Sequence, residues 1–174
     1  ILILMTVLFV LNGKVFGQYC TSDARYTEVE YFNSLEITTG ANIQFGTAND
    51  HLGNPYALLM DLYYPNLGID TSPKRPFIML FHGGGFSSGD KQSGDIKDLC
   101  IHLARRGFVC ASVNYRLGYD CTEYGQYKAR YRAILDGHAA MRYAVNNAKA
   151  VRIDTSWIFV GGQSAGSLLA LGMV

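Results

Sequence analysis

A serine between glycines is the residue of this sequence best placed for chemistry. The segment Gly162–Gly166 (GQSAG) comes one glycine after the apolar run Trp157–Val160 and precedes residues that suit a helix. In a G-x-S-x-G turn between strand and helix the backbone is strained, and the serine oxygen projects to where a base can reach it. The flanking glycines leave room where a Cβ would collide with the neighbouring strand or helix. The motif also occurs by chance, so this context is what favours Ser164 as a nucleophile.

A second stretch, His82–Phe86 (HGGGF), directly follows the apolar run Phe77–Phe81. Adjacent glycines destabilise ordered structure, so they indicate a specific use, such as pointing backbone N–H groups into a site without side-chain obstruction. The stretch lacks the G-K-[ST] ending of a phosphate-binding P-loop and the spacing of a dinucleotide fingerprint. A flexible surface turn is the alternative interpretation. Two such stretches, each after a buried-type strand, favour a nucleophile paired with an oxyanion loop.

The elements around these stretches alternate between strand and helix patterns. Continuous apolar runs at 77–81, 108–113 and 157–160 predict strands covered on both faces, as in a parallel sheet. Helical spacing predicts helices over 95–106 and 124–148, and the residues after Ser164 suit a third. Alternating strands and helices predict an α/β fold. Earlier in the chain we predict strands at 26–32, near 43–45 and at 57–65, and a surface loop at 66–76.

Each predicted helix carries an apolar stripe that is expected to face the sheet. In the first helix the stripe comprises Ile96, Leu99, Cys100 and Leu103. In the second it comprises Tyr127, Tyr131, Ile134, Leu135, His138, Met141, Val145 and Ala148. A histidine on an apolar stripe is typically a partly buried, satisfied side chain, so we assign His138 no chemistry.

Composition limits the function classes. The 174 residues suit one domain, with 49% hydrophobic and 17% charged residues. Fifteen Lys and Arg residues against 14 Asp and Glu give a net charge of +1 and no basic stripe, which argues against nucleic-acid binding. The first eleven residues, ILILMTVLFVL, are too few to span a bilayer but fit the apolar region of a secretory signal peptide. We predict a signal peptide at 1–17, incomplete at its start, and a mature protein from Gln18; a buried strand or helix is the alternative.

Four cysteines agree with export, where disulfides persist. Cys100 and Cys110 lie in apolar surroundings and suit buried free thiols. Cys20 and Cys121 lie in polar, loop-like surroundings, and we favour a bridge between them, although sequence cannot fix connectivity.

From about Ala57 to the end, the chain resembles the N-terminal part of an α/β-hydrolase fold esterase. FHGGGFSSGD (81–90) is similar to the oxyanion-loop motif of hormone-sensitive-lipase-like and feruloyl-esterase-like enzymes. SVNYRLG (112–118) also resembles a segment of type B carboxylesterases, and DGHAAMRYAVNNA (136–148) resembles the long helix before the nucleophile. RIDTSWIFVGGQSAGSLLA (152–170) resembles the nucleophile turn itself. The resemblance implies an α/β-hydrolase fold, a mostly parallel sheet with helices on both faces.

The resemblance also implies roles for individual residues. Ser164 matches the nucleophile, while the backbone N–H groups of Gly84, Gly85 and Ala165 match the oxyanion hole. His82 matches a residue that shapes the loop and not the catalytic base. Asp90 and Arg116 match structural positions, for which we expect ion pairs or loop anchoring. No metal or organic cofactor and no stable membrane anchor is implied.

The implied function is a secreted serine hydrolase acting on a small-molecule ester or an acylated carbohydrate. In this fold the catalytic acid and then the histidine follow the serine. Only eight residues follow Gly166, none acidic or histidine, so the resemblance implies that both partners lie beyond Val174 and that residues 1–174 alone are inactive. The alternatives are a peptidase of the same fold, which the HGGG motif disfavours, and a catalytically inactive cholinesterase-like binding module.

Overall fold

The computed structural model describes residues 24–174, which form one mixed sheet with helices on both faces. The predicted signal peptide at 1–17 and Cys20 lie outside the described residues. The strands are β1 (Ile37–Asn49), β2 (Pro55–Pro65), β3 (Arg75–Phe81), β4 (Val109–Val113) and β5 (Ile153–Gly162). The helices are α1 (Gly94–Ala104), α2 (Glu123–Asn146) and α3 (Ala165–Leu171), and short 3-10 turns occupy Ser34–Glu36 and Ala148–Ala150.

The sheet has the strand order β1-β2-β4-β3-β5. β2 pairs antiparallel with β1 and β4, whereas β3 pairs parallel with both β4 and β5. Two of the three apolar runs predicted as doubly covered strands are the central β3 and β4, and every residue of β4 is buried. The third run lies in β5, an edge strand of the described sheet, where Trp157 and Phe159 are exposed. α1 packs on one face through Ile96, Cys100 and Ala104, while α2 and α3 pack on the other. The α/β prediction is therefore confirmed, with the parallel part confined to β4, β3 and β5.

The segment at 26–32 is not the strand that its alternation predicts. It forms turns, and the backbone N–H groups of Tyr26, Tyr31 and Phe32 donate to the carbonyls of Arg105 and Arg106 at the end of α1. The Tyr26 ring also packs edge-on against Phe108, with centroids 5.3 Å apart. The backbone N–H groups of this segment therefore find their acceptors at the end of a helix and not in a sheet. A pattern of alternating side chains does not reveal such partners.

The buried face of α2 also differs from the prediction. Tyr127, Tyr131, Leu135 and Val145 are exposed, and the buried residues are mostly small: Gly125, Ala129, Ala133, Asp136, Gly137, Ala140 and Ala144. Gly137 shows why, since a Cβ there would lie 2.6 Å from Met173 Sδ and 3.2 Å from Phe81 Cζ. Close packing on the sheet selects small side chains and turns the large ones outward. His138 is partly buried, as predicted; in α1, Leu99 is exposed.

The cysteines agree with their predicted surroundings where the structure describes them. Cys100 and Cys110 are fully buried free thiols, and burial raises the pKa of Cys100 to about 12. Cys121 is exposed and forms no disulfide with another described cysteine. Its bridge to Cys20 stays a prediction. Between residues 24 and 174, none of the helices combines the length and apolar character that crossing a bilayer requires.

Candidate active site

The register of β3 and β5 brings the two motifs together. Phe81, the last residue of β3, pairs with Gly162, the last residue of β5. Because the strands are parallel, the segments that follow β3 and β5 leave the sheet at the same edge. Gln163 N donates to Phe81 O at 3.1 Å across this edge. The turn Gly162–Gly166, called the elbow below, therefore starts beside the loop His82–Lys91, called the glycine loop below.

Ser164 sits at the apex of the elbow with φ 51° and ψ −114°, a conformation that L-residues rarely adopt. Both flanking glycines are sterically required. A Cβ on Gly166 would lie 2.2 Å from Phe81 O, and one on Gly162 would lie 2.5 Å from the carbonyl carbon of Gly166. These contacts are to backbone atoms, which cannot rotate away. The structure thus gives the glycines the steric role predicted from the motif.

The glycine loop runs directly past the elbow. A Cβ on Gly83 would lie 3.5 Å from Ser164 Cβ and 3.3 Å from Gln163 O, so the loop backbone is in contact distance of the serine. Gly84 and Gly85 follow with φ 109° and 62°. Only a residue without a Cβ fits at Gly84, because that atom would lie 2.1 Å from Ser88 O. The loop therefore turns sharply beside Ser164.

Three backbone N–H groups of the glycine loop and the elbow have no hydrogen-bond acceptor among the described residues. Within residues 24–174, the N–H groups of Gly84, Gly85 and Ala165 donate no hydrogen bond. Ala165 is the first residue of α3, and helices leave their first N–H groups without an internal acceptor. Unpaired backbone donors are the kind of group from which an oxyanion hole is built.

His82 is buried under the glycine loop. Its Nδ1 lies 2.7 Å from Gly83 O, and because a carbonyl only accepts, Nδ1 carries the proton. The ring stacks on Tyr115 with centroids 4.4 Å apart, and Tyr115 Oη donates to His82 O at 2.8 Å. Burial lowers the pKa of His82, so the neutral imidazole is favoured. These contacts fit the predicted loop-shaping role.

Asp90 and Arg116 also behave as structural residues. Arg116 forms a two-pronged ion pair with buried Asp136 of α2, at 2.7 Å from Nη2 to Oδ1 and 3.0 Å from Nε to Oδ2. Gly118, two residues further along the chain, donates from N to Phe86 O at 2.8 Å. Asp90 Oδ1 accepts from Gln92 N at 2.5 Å at the end of the glycine loop. Both residues anchor loops, as the resemblance implied.

Sequence reasoning missed a buried ion pair that joins the glycine loop to the sheet. Lys91 Nζ lies 3.0 Å from Asp61 Oδ1, and both residues are almost completely buried. A signal was present, since Asp61 is the one charged residue in the otherwise apolar or aromatic strand ALLMDLYYP. A second pair, Arg75 with Asp70 at 2.7 Å, lies at the opposite end of β3. In the part of the chain described, no group of acidic, histidine or cysteine side chains is arranged to hold a metal.

The fold, with the elbow and the glycine loop at one end of the sheet, defines a class of protein. The sheet with its elbow and glycine loop matches the α/β-hydrolase fold of solved esterases. Bacterial heroin esterase superposes with a TM-score of 0.59 at 31% identity, over 82% of this chain and 40% of that chain. Esterase LipI of Mycobacterium tuberculosis is 34% identical over 110 residues, 63% of this chain and 31% of its own length. Neuroligin-like protein glit-1 of Caenorhabditis elegans is 30% identical over 112 residues, 63% of this chain and 15% of its own length.

The BD-FAE family matches residues 60–173, which include β3, β4, the glycine loop and the elbow. The chain belongs to this family. It spans less than half the length of each of these three proteins.

Proposed function

We propose that the full-length protein hydrolyses carboxylic esters with Ser164 as its nucleophile. The observation that carries the proposal is the strained backbone of Ser164, with φ 51°, at the edge where the glycine loop contacts it. Such strain persists only where surrounding structure enforces it, and it clusters at functional sites. The similarity to Esterase LipI and to bacterial heroin esterase supports the same reaction class.

In the proposed reaction, Ser164 Oγ attacks the ester carbonyl carbon and its proton passes to a general base. The N–H groups of Gly84, Gly85 and Ala165 bind the oxyanion. Collapse of the intermediate releases the alcohol and leaves an acyl-enzyme, which water then hydrolyses to the acid. His51, His82, His102 and His138 make no hydrogen bond to Ser164 in the described chain, so we propose a histidine and an acidic partner outside residues 24–174.

The substrate class that we propose is a small-molecule ester or an acylated carbohydrate, handled outside the cytoplasm. Export is proposed from the signal-like residues 1–17. The intact mass of the secreted protein tests it, and we expect a chain that starts at Gln18. A product that retains the apolar segment would contradict the proposed export and cleavage, but it would leave the proposal for Ser164 unaffected.

The test of the nucleophile is labelling of the full-length protein with a fluorophosphonate probe and hydrolysis of p-nitrophenyl acetate. We expect Ser164→Ala to abolish both, because no other group replaces the nucleophile. Ser167→Ala is the matched control, since Ser167 lies one turn along α3 with its hydroxyl donating to Ser164 O at 2.6 Å. The control should be labelled. Undiminished labelling of Ser164→Ala would refute the assignment.

A binding module without catalysis is the second candidate, favoured by the 30% identity to a neuroligin-like protein. The same labelling experiment separates the two candidates. An intact, folded wild-type protein that takes up no probe and hydrolyses no ester would support the binding module.

A further inference from the structure

Lys91 forms the most buried ionic contact of the glycine loop. It is 4% exposed and its partner Asp61 is 0% exposed. Lys91 Nζ lies 3.0 and 3.1 Å from the two oxygens of Asp61. Asn42 N donates to the same carboxylate at 2.7 Å, and the Gln92 side chain donates to it as well. Asp61 on β2 is thus a fully satisfied buried anion.

The backbone of Lys91 is held as firmly as its side chain. Lys91 N donates to Asn114 Oδ1 at 2.6 Å, and Lys91 O accepts from Ser112 Oγ at 2.7 Å. Ser112 lies in β4, and Asn114 is the first residue after this strand. The residue that ends the glycine loop is therefore attached to β2 through its charge and to β4 through its peptide groups. A buried ion pair is weak evidence of stabilisation, because desolvation offsets the attraction. Its position at this loop indicates another role.

The returning half of the glycine loop packs on the half that contacts Ser164. A Cβ on Gly89 would lie 2.5 Å from His82 Nδ1, and Ser88 O fills the space beside Gly84. Lys91 lies two residues after Gly89. The N–H groups of Ser87 and Ser88 donate to Gly84 O at 3.0 Å, so the position of Gly84 is tied to that of the returning half.

We propose that Lys91, through its ion pair with Asp61 and its peptide contacts with β4, is a positioning residue that sets the N–H groups of Gly84 and Gly85 against Ser164. This inference rests on the proposed esterase function. The pair fixes the far end of a loop whose near end is fixed by β3 and by Tyr115. Neither Lys91 nor Asp61 touches the substrate in this role.

The test uses Lys91→Met combined with Asp61→Asn in the full-length protein. The double variant leaves no unpaired buried charge, and the asparagine oxygen still accepts from Asn42 N. We expect kcat for p-nitrophenyl acetate to fall about tenfold to a hundredfold, because a misplacement near 1 Å costs rates of this order. KM should change little, and a boronic acid that mimics the tetrahedral intermediate should bind more weakly in parallel with kcat.

Arg75→Met combined with Asp70→Asn is the control, a buried pair at the other end of β3 whose Asp70 also pairs with Arg25 at 3.1 Å. It should lower the unfolding temperature and leave kcat of the folded enzyme unchanged. If the Lys91 double variant keeps the wild-type kcat and boronic-acid affinity, the inference is overturned. If the wild-type protein itself neither hydrolyses esters nor reacts with the probe, the proposed function fails instead.

Ser112→Ala is a milder variant for the case that the double variant does not fold. It removes only the donor to Lys91 O. We expect a severalfold drop in kcat with KM preserved, and an unchanged kcat in this variant would equally overturn the inference.

Discussion

The elbow and the glycine loop meet at Ser164, but different forces hold their backbones. The elbow is fixed by backbone sterics, since a Cβ on Gly162 or Gly166 would clash with backbone atoms of the turn itself or of the end of β3. The glycine loop is fixed by distant partners, namely Tyr115 on His82 and Asp61 on Lys91. Between these anchors Phe86 inserts into the core, 3% exposed with φ 61°. The glycines of a short motif therefore mark the elbow in the sequence, whereas the anchors of the glycine loop lie on residues far from its own motif.

The largest expected effect comes from breaking the elbow with Gly166→Ala. The added Cβ would lie 2.2 Å from Phe81 O and 2.6 Å from His82 O, so β3 or α3 must move. We expect a loss of at least about 3 kcal/mol of unfolding free energy, at the upper end for overpacking. Gly94→Ala is the control, since a Cβ there meets nothing within 4 Å. Thermal unfolding measures both, and equal effects would show that sterics do not hold the elbow.

The glycine loop can be broken at two neighbouring positions with unequal results. Gly84→Ala places its Cβ 2.1 Å from Ser88 O at φ 109°, whereas Gly85→Ala has only a contact at 3.8 Å and φ 62°. We expect Gly84→Ala to lose about 2–3 kcal/mol, and Gly85→Ala about 1 kcal/mol from the left-handed conformation alone. Denaturant unfolding of both variants tests the order. A larger loss for Gly85→Ala would mean that the loop relaxes around Gly84.

Strain at Ser164 predicts a smaller effect of opposite sign. Glycine adopts a positive φ freely, whereas alanine keeps the strain of serine. Ser164→Gly should therefore be about 1 kcal/mol more stable than Ser164→Ala, with both variants unlabelled by the fluorophosphonate. Unfolding curves at one pH compare them. Equal stabilities would show that the elbow conformation carries no measurable strain.

The smallest effect concerns pH and His82. Burial lowers the pKa of His82 in the folded protein, so the unfolded chain binds more protons just below its ordinary pKa of about 6.5. Stability from this group is complete above that pH and is lost as pH falls through the folded pKa. His82→Asn keeps a donor towards Gly83 O without titrating, and its stability should depend less on pH between about 5 and 7. An unchanged pH dependence would exclude His82 as its source.

Local patterns predicted the features that leave a local mark in the sequence. The elbow, the buried runs of β3 and β4 and the two buried thiols were all visible, because each is marked by its own glycines or by the apolar residues around it. The resemblance then predicted the α/β-hydrolase fold.

The errors came from partners distant in sequence. The segment at 26–32 donates hydrogen bonds to the end of α1. α2 buries small residues because it lies too close to the sheet for large side chains. Asp61 is 30 residues from Lys91, and no periodicity joins them. The charge of Asp61 within the apolar strand β2 indicated a cationic partner, but it did not identify which lysine or arginine that partner is.

The parallel pairing of β3 with β5 has a consequence for folding kinetics. Phe81 and Gly162, which meet in this pairing, lie about 80 residues apart in the chain. Closing so long a loop is entropically unfavourable, and contacts of such separation form slowly. β4, α1 and α2 lie between the two strands in sequence and can form contacts with β3 that do not need this closure. The strained surroundings of Ser164 therefore exist only in chains whose β5 has joined β3, which makes the elbow a late feature of the fold.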